Sequence, residues 1–148
     1  MMEKTKVLFV CVHNAARSQM AEAFMNHLCG DSYEAESAGL EPTEVSPLVI
    51  EAMMEVGIDV SRNRSKSVFD FFKEGRLYGF VITVCDESNS ERCPIFPGIT
   101  AKLHWSFEDP SRFTGSDEER LEKVRRLRGQ IKDKVQAFCT ERPAIKLT

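Results

Sequence analysis

The spacing of apolar positions changes repeatedly along this chain, and each change predicts a different element. Lys6–Val12 (KVLFVCV) is an almost unbroken apolar run, the pattern of a strand buried on both faces. From Ser18 to about Cys29 the apolar residues Met20, Ala21, Phe24, Met25 and Leu28 recur at helical steps, and Gly30 follows as a stop. Tyr33–Ser37 reads as a short strand with weaker patterning. Ser46-Pro47 has the form of an N-cap with proline at the first helical position. Val49, Ala52, Met53 and Val56 then share one helical face that ends at Gly57. Phe80–Cys85 (FVITVC) and Thr100–Trp105 are two further strands. The clearest helix is the last: Leu121, Val124, Leu127, Ile131, Val135 and Phe138 recur at steps of three and four, behind a Ser116/Glu119 capping box.

Strands alternating with helices imply right-handed crossovers and a parallel sheet covered on both faces. The working site of such a sheet lies beyond the carboxyl ends of its strands. That rule gathers Cys11, Cys85 and the segment after Trp105 at one edge.

With 148 residues the chain reads as one domain, 1–148, able to bury a core without disulfide staples, with a tail flexible from about residue 140. A net charge of −3 gives no ground for binding nucleic acid or an anionic membrane. No apolar stretch reaches membrane-spanning length, and Met1–Lys6 lacks the apolar run of a signal peptide, so a cytoplasmic location is expected; a monomer is expected as well. In that compartment the five cysteines (11, 29, 85, 93 and 139) are either packing residues or chemically active ones.

Cys11-Val-His-Asn-Ala-Ala-Arg17-Ser18 lies between a buried strand and a helix. The backbone N–H groups of Val12, His13, Asn14, Ala15, Ala16, Arg17 and Ser18 can converge there on an oxyanion, aided by the positive end of the following helix. Arg17 adds a planar fork matched to two oxygens of a tetrahedral anion. A thiol at the mouth of the loop feels the same field, which favours thiolate. Ser18 either donates to that thiolate, caps the helix, or does both. His13 either strengthens the field or is a surface imidazole. An isolated Cys-x5-Arg arises by chance; the strand before it, the helix after it and the adjoining serine make it a site.

The segment VLFVCVHNAARSQMAEAF resembles the low-molecular-weight protein tyrosine phosphatase superfamily, and is most similar to its arsenate reductase branch of the thioredoxin-coupled type. Ser18-Gln19 followed by Met-Ala-Glu looks like the reductases, whereas the phosphatases usually carry Ser-Pro there. The resemblance runs from about Lys6 to Phe138. It implies a flavodoxin-like α/β three-layer sandwich with a four-stranded parallel sheet flanked by helices.

Reducing arsenate takes two electrons, which a thiol enzyme supplies by turning two thiolates into a disulfide. Cys85 ends a buried strand beside Cys11, and Cys93 follows across the polar segment Asp-Glu-Ser-Asn-Ser-Glu-Arg, mobile in character, which would let Cys93 close onto Cys85. This arrangement resembles the shuttle of the reductases. Cys29 and Cys139 each close a helix away from the strand ends and are assigned to packing. A zinc site built from Cys85, Cys93 and a histidine lacks the usual close ligand pair, so no metal is expected.

The resemblance also implies that Asp109, in Glu108-Asp109-Pro110, is the general acid, with Glu108 a solvated neighbour; an Asp-Pro pair is otherwise an ordinary turn starter. The chain continues Ser-Arg-Phe-Thr-Gly, without the tyrosines that often follow in the phosphatases. Asn14 would stabilise the backbone of the anion loop. Some reductases of this family bind potassium near the loop, and Asn14, Glu22 and Ser37 match the positions involved. The acidic residue expected near position 66 is Lys66, whose ammonium would replace the cation. Ala16 stands where several relatives carry another cysteine.

These residues imply a reaction in which Cys11 attacks arsenate held by the loop amides and Arg17, while Asp109 protonates the departing oxygen. Cys85 then attacks the Cys11 sulfur and arsenite leaves, and Cys93 resolves the disulfide for reduction by thioredoxin, or along a glutathione and glutaredoxin route. No bound cofactor is needed, and phosphate should compete weakly. The rivals are a phosphatase that hydrolyses phosphocysteine at Cys11, and a non-catalytic oxyanion sensor.

Overall fold

The computed structural model describes residues 4–85, 92–94, 96 and 101–141. The segment between Cys85 and Arg92, the Thr100 end of the last strand and the tail beyond 141 lie outside the described residues.

Four parallel strands, β1 (Thr5–Cys11), β2 (Tyr33–Gly39), β3 (Phe80–Thr83) and β4 (Ala101–His104), form one sheet in the order β2-β1-β3-β4. In β1 the side chains alternate between faces: Val7, Phe9 and Cys11 enter one core cluster, Leu8 and Val10 the other, and all are buried. The first cluster is covered by α1 (Arg17–Cys29), α2 (Pro47–Met54) and α4 (Asp117–Glu141). The second is covered by α3 (Val68–Lys73). The result is the three-layer α/β architecture that the alternation of strands and helices predicts. Strand order reverses between β1 and β3, so the carboxyl end of β1 sits at the switch point where such sheets bind ligands.

α4 buries the six apolar residues that its periodicity identifies. Its capping box forms in both directions: Ser116 Oγ accepts from Glu119 N–H at 3.1 Å, and Glu119 Oε1 accepts from Ser116 N–H at 3.0 Å. Other local expectations need correction. Ser46 occupies the N-cap of α2 and Pro47 follows it, but the serine side chain makes no capping bond. α2 ends at Met54, so Val56 falls outside the helix and is exposed. Gly30 does stop α1 as expected, closing it in a right-handed conformation (φ −63°). α3 has no counterpart in the sequence reading; Ser67 caps it by accepting from the Phe69 and Asp70 N–H groups.

Cys29 and Cys139, expected to serve packing alone, are joined by a disulfide. They do pack against the first core cluster, because α1 and α4 lie against each other there. Helical periodicity identifies each helix but not the rotation at which two helices meet, so the pairing is not visible in the sequence.

Candidate active site

β1 ends on Cys11, and the chain curls through residues 12–16 before α1 begins at Arg17. Every carbonyl from Cys11 to Ala16 is held from outside the curl. Leu40, Glu41 and Thr43 N–H donate to Cys11, Val12 and His13 (3.1, 2.7 and 3.2 Å), and Ser46 and Met20 N–H to Ala15 and Ala16 (2.9 Å each). The Asn14 carbonyl accepts from Ser65 Oγ at 2.9 Å and Gln19 Nε2 at 3.1 Å. In a trans peptide the N–H points opposite to the carbonyl of the same unit, so outward carbonyls turn the amides of residues 12–17 inward. Asn14 N–H accordingly donates to Cys11 Sγ at 3.1 Å.

Asn14 adopts φ +52°, the left-handed region that asparagine tolerates better than most residues. Its side chain sets the polarity of a buried chain of hydrogen bonds. Asn14 Oδ1 accepts from Lys66 backbone N–H (2.9 Å) and Gln19 Nε2 (3.1 Å), which leaves Nδ2 to donate to Ser37 Oγ (3.0 Å) and Ser18 Oγ (2.7 Å). Ser37 gives its own proton to Glu22 Oε1 at 2.6 Å. Ser18, already an acceptor from Asn14, has its hydroxyl proton left for Cys11 Sγ at 2.8 Å. Ser18 is therefore a donor to the Cys11 sulfur. It does not cap the helix, whose N-cap is Ala16.

Lys66 Nζ lies 3.4 Å from both Glu22 Oε1 and Ser37 Oγ. The positions that match a potassium site in relatives thus enclose an ammonium where a further carboxylate would be needed, and they do not fit that ion. Among the described residues there is no group of three or more His, Cys, Asp or Glu that could hold a metal.

Arg17 is buried. Its Nη1 donates to Phe107 O at 3.2 Å, and Nη2 lies 3.8 Å from Asp109 Oδ2. Both residues line a cavity of about 460 Å³ together with Cys11 and His13. Burial tends to raise the Asp109 carboxyl. The N–H and hydroxyl of Ser111, with Arg17 and Arg112, outweigh burial and hold it below the usual carboxylate range. Glu108 is exposed and lines a different cavity. His13 is half-buried, and its Nδ1 bonds to Glu41 O at 2.9 Å.

Cys85 is fully buried two residues beyond β3, where Val84 N–H donates to Val10 O at 2.8 Å. Neighbouring strands lie about 4.8 Å apart, and Cys85 shares a core cluster with Cys11. Cys93 instead joins the cluster on the other face, with Tyr78 and Phe96. Its thiol donates to Pro94 O at 3.5 Å, and burial, helped by Cys85 and opposed by Lys102, pushes its pKa up to about 11. The structure thus gathers Cys11, Arg17 and Asp109 at one cavity, with Ser18 hydrogen-bonded to Cys11 and Cys85 in the same core cluster, and places Cys93 in the other cluster.

Two supporting residues escaped the sequence reading. Gln19, noted only as a family marker, is fully buried and braces Asn14 while accepting from Asn63 Nδ2 at 3.1 Å. Gly39 lies so close to the loop that a Cβ there would fall 2.8 Å from Asn14 N and 2.9 Å from Val12 O. A glycine following a strand pattern was the available signal for such an approach.

Comparison with known proteins agrees with this geometry. The model of the family described as low molecular weight phosphotyrosine protein phosphatase matches residues 6–144. An arsenate reductase of Shouchella clausii is 36% identical over 139 residues, 93% of this chain and 97% of that protein. Among solved structures, an arsenate reductase in its oxidized state is 33% identical with a TM-score of 0.76, covering 93% of this chain and 98% of the other. A thioredoxin-dependent arsenate reductase of Corynebacterium glutamicum is 32% identical with a TM-score of 0.63, covering 90% of this chain and 62% of that one.

Proposed function

Since the chain belongs to the low molecular weight phosphotyrosine protein phosphatase family and groups with its arsenate reductases, we propose that it reduces arsenate to arsenite, with Cys11 as nucleophile and Cys85 and Cys93 as the electron source. The observation that carries this reading is the second thiol in the core: Cys85 lies two residues beyond the strand that pairs with β1 and shares the core cluster of Cys11. Hydrolysis of a phosphocysteine needs no such group, so the phosphatase reading leaves Cys85 without a task.

Arsenate enters the curl of amides of residues 12–17 and the Arg17 fork. Cys11 thiolate, hydrogen-bonded by Ser18 and the Asn14 N–H, forms a bond to arsenic, and one oxygen leaves as water with a proton from Asp109. In the empty site Arg17 helps to keep Asp109 ionised. An incoming anion claims Arg17 and adds negative charge beside the carboxylate, and both changes return Asp109 toward its protonated form. Cys85 thiolate then attacks Cys11 Sγ. The sulfur–arsenic bond breaks, its electron pair stays on arsenic, and arsenite departs from a Cys11–Cys85 disulfide. Cys93 attacks Cys85 and releases Cys11 as thiolate, and an external dithiol protein reduces the Cys85–Cys93 bond. Thioredoxin is the donor favoured by the Corynebacterium glutamicum relative; glutathione with glutaredoxin is the alternative. We place the protein in the cytoplasm, where such reductants operate; no helix among the described residues is long and apolar enough to cross a membrane.

The test is arsenate-dependent NADPH oxidation with thioredoxin and its reductase, run beside p-nitrophenyl phosphate cleavage. The reading predicts that Cys85→Ser abolishes the first and spares the second. Unchanged arsenate turnover in that variant would overturn it.

A further inference from the structure

Outside the catalytic thiols one other pair of sulfurs is brought together, at the far end of α1. Arg17 opens that helix at the anion loop and Cys29 closes it after 13 residues, about 18 Å away. Cys139 lies near the end of α4, its Cα 6.3 Å from that of Cys29, within the range that a disulfide spans. At this distance neither sulfur reaches Cys11. We infer that Cys29 and Cys139 form a second thiol–disulfide site, independent of the catalytic cysteines, which closes by exchange with a low-molecular-weight disulfide and clamps α4 onto α1.

Three features support an exchangeable bond. Both cysteines are half-buried at the rim of the core and not sealed within it. The seating of α4 does not depend on the bond: it lies against α1, and Phe138, beside Cys139, packs on the sheet side against Tyr33, Phe80 and Trp105 with ring centroids 5.1 to 5.8 Å apart. Opening it would leave two thiols on an intact apolar seam. Finally, the partners are 110 residues apart, so closure constrains much of the unfolded chain. The effect extends to the working end, because Arg120 and Val124 of α4 line the Cys11 cavity.

The exchange balances. One cysteine attacks the low-molecular-weight disulfide and releases one thiol as a mixed disulfide forms. The second cysteine displaces the other thiol and closes the bond. The protein loses two electrons and two protons, and the small disulfide gains them as two thiols. In a reducing compartment the pair rests as dithiol and closes when the thiol pool becomes oxidised.

The full chain is equilibrated in glutathione buffers of stepped oxidised-to-reduced ratio, quenched in acid, alkylated, digested and mapped by mass. A Cys29–Cys139 peptide that appears with oxidation and disappears with reduction is expected. A variant carrying Cys11→Ser, Cys85→Ser and Cys93→Ser should melt on the order of 10 °C higher in the oxidised buffer, a difference lost on adding Cys29→Ser. Cys29→Ser alone should leave arsenate turnover in reducing buffer unchanged. Full alkylation of both cysteines in the most oxidising buffer, separate glutathione adducts on each, or a bond that persists in the most reducing buffer would each overturn the proposal. The peptide map decides even if the multiple variant does not fold.

Discussion

Lys66 sets its ammonium 3.4 Å from the Glu22 carboxylate, four hydrogen-bonded side chains from the Cys11 sulfur, along the path Glu22–Ser37–Asn14–Ser18–Cys11. Glu22 can then act purely as an acceptor: Ser37 donates to it, Asn14 Nδ2 donates to both Ser37 and Ser18, and the Ser18 proton is left for Cys11. If the ammonium serves in place of a bound cation, turnover should be equal in potassium and sodium buffers. Lys66→Met should lower kcat about tenfold, slow Cys11 alkylation at neutral pH, and leave the KM for thioredoxin unchanged. Steady-state kinetics in the two salts, with Lys66→Arg as the rescuing variant, check this.

Gly39 makes a second prediction. A methyl at its Cα meets the backbone of His13, Asn14 and Val12 at 2.8 to 2.9 Å, and none of these can turn away as a side-chain tip would. Gly39→Ala should therefore displace the anion loop, cost about 1–3 kcal/mol of stability, and weaken phosphate binding more than tenfold. Isothermal titration with inorganic phosphate, beside a urea melt, separates the two effects.

How legible these features were depends on how local their cause is. The β1 run and the Cys11–Ser18 loop are contiguous, so burial and anion-binding geometry can both be read from neighbouring residues. α3 was not legible because its six residues, VFDFFK, are too few for a period and leave Phe69 and Phe72 exposed. The donor role of Ser18 depends on Lys66, whose backbone N–H orients the Asn14 amide from a distant part of the chain. Periodicity placed Val56 on a buried face, whereas the helix had already ended at Met54.

Asp109 offers a test through pH. Its folded pKa is below the ordinary carboxylate value, so its ionised form contributes stability above the unfolded pKa of about 3.9. That contribution is lost as pH falls through the folded value. Asp109→Asn should shrink the loss of melting temperature between pH 5 and pH 3. The same variant should cut arsenate kcat about 10²–10³-fold while phosphate binding is kept or tightened, since a negative charge beside Arg17 is gone.

Cys93 makes the last prediction, about the order in which the thiols act. Burial pushes its pKa up to about 11, so in the reduced protein it stays protonated through the neutral range. It should therefore resist alkylation and early pairing with Cys85. Attack on Cys85 then requires Cys93 to give up its proton in the cluster that it shares with Tyr78 and Phe96. In the reduced protein at pH 7, iodoacetamide should label Cys93 at least tenfold more slowly than a free cysteine, which titrates near 8.5, with the rate climbing toward pH 11. After one arsenate turnover without reductant, Cys93→Ser should stop with one arsenite released and a Cys11–Cys85 bond. Wild type under the same conditions should carry Cys85–Cys93, with Cys11 open to alkylation. Peptide mapping of both proteins reads the two bonds directly, and fast labelling of Cys93 in the resting protein would refute its protected state.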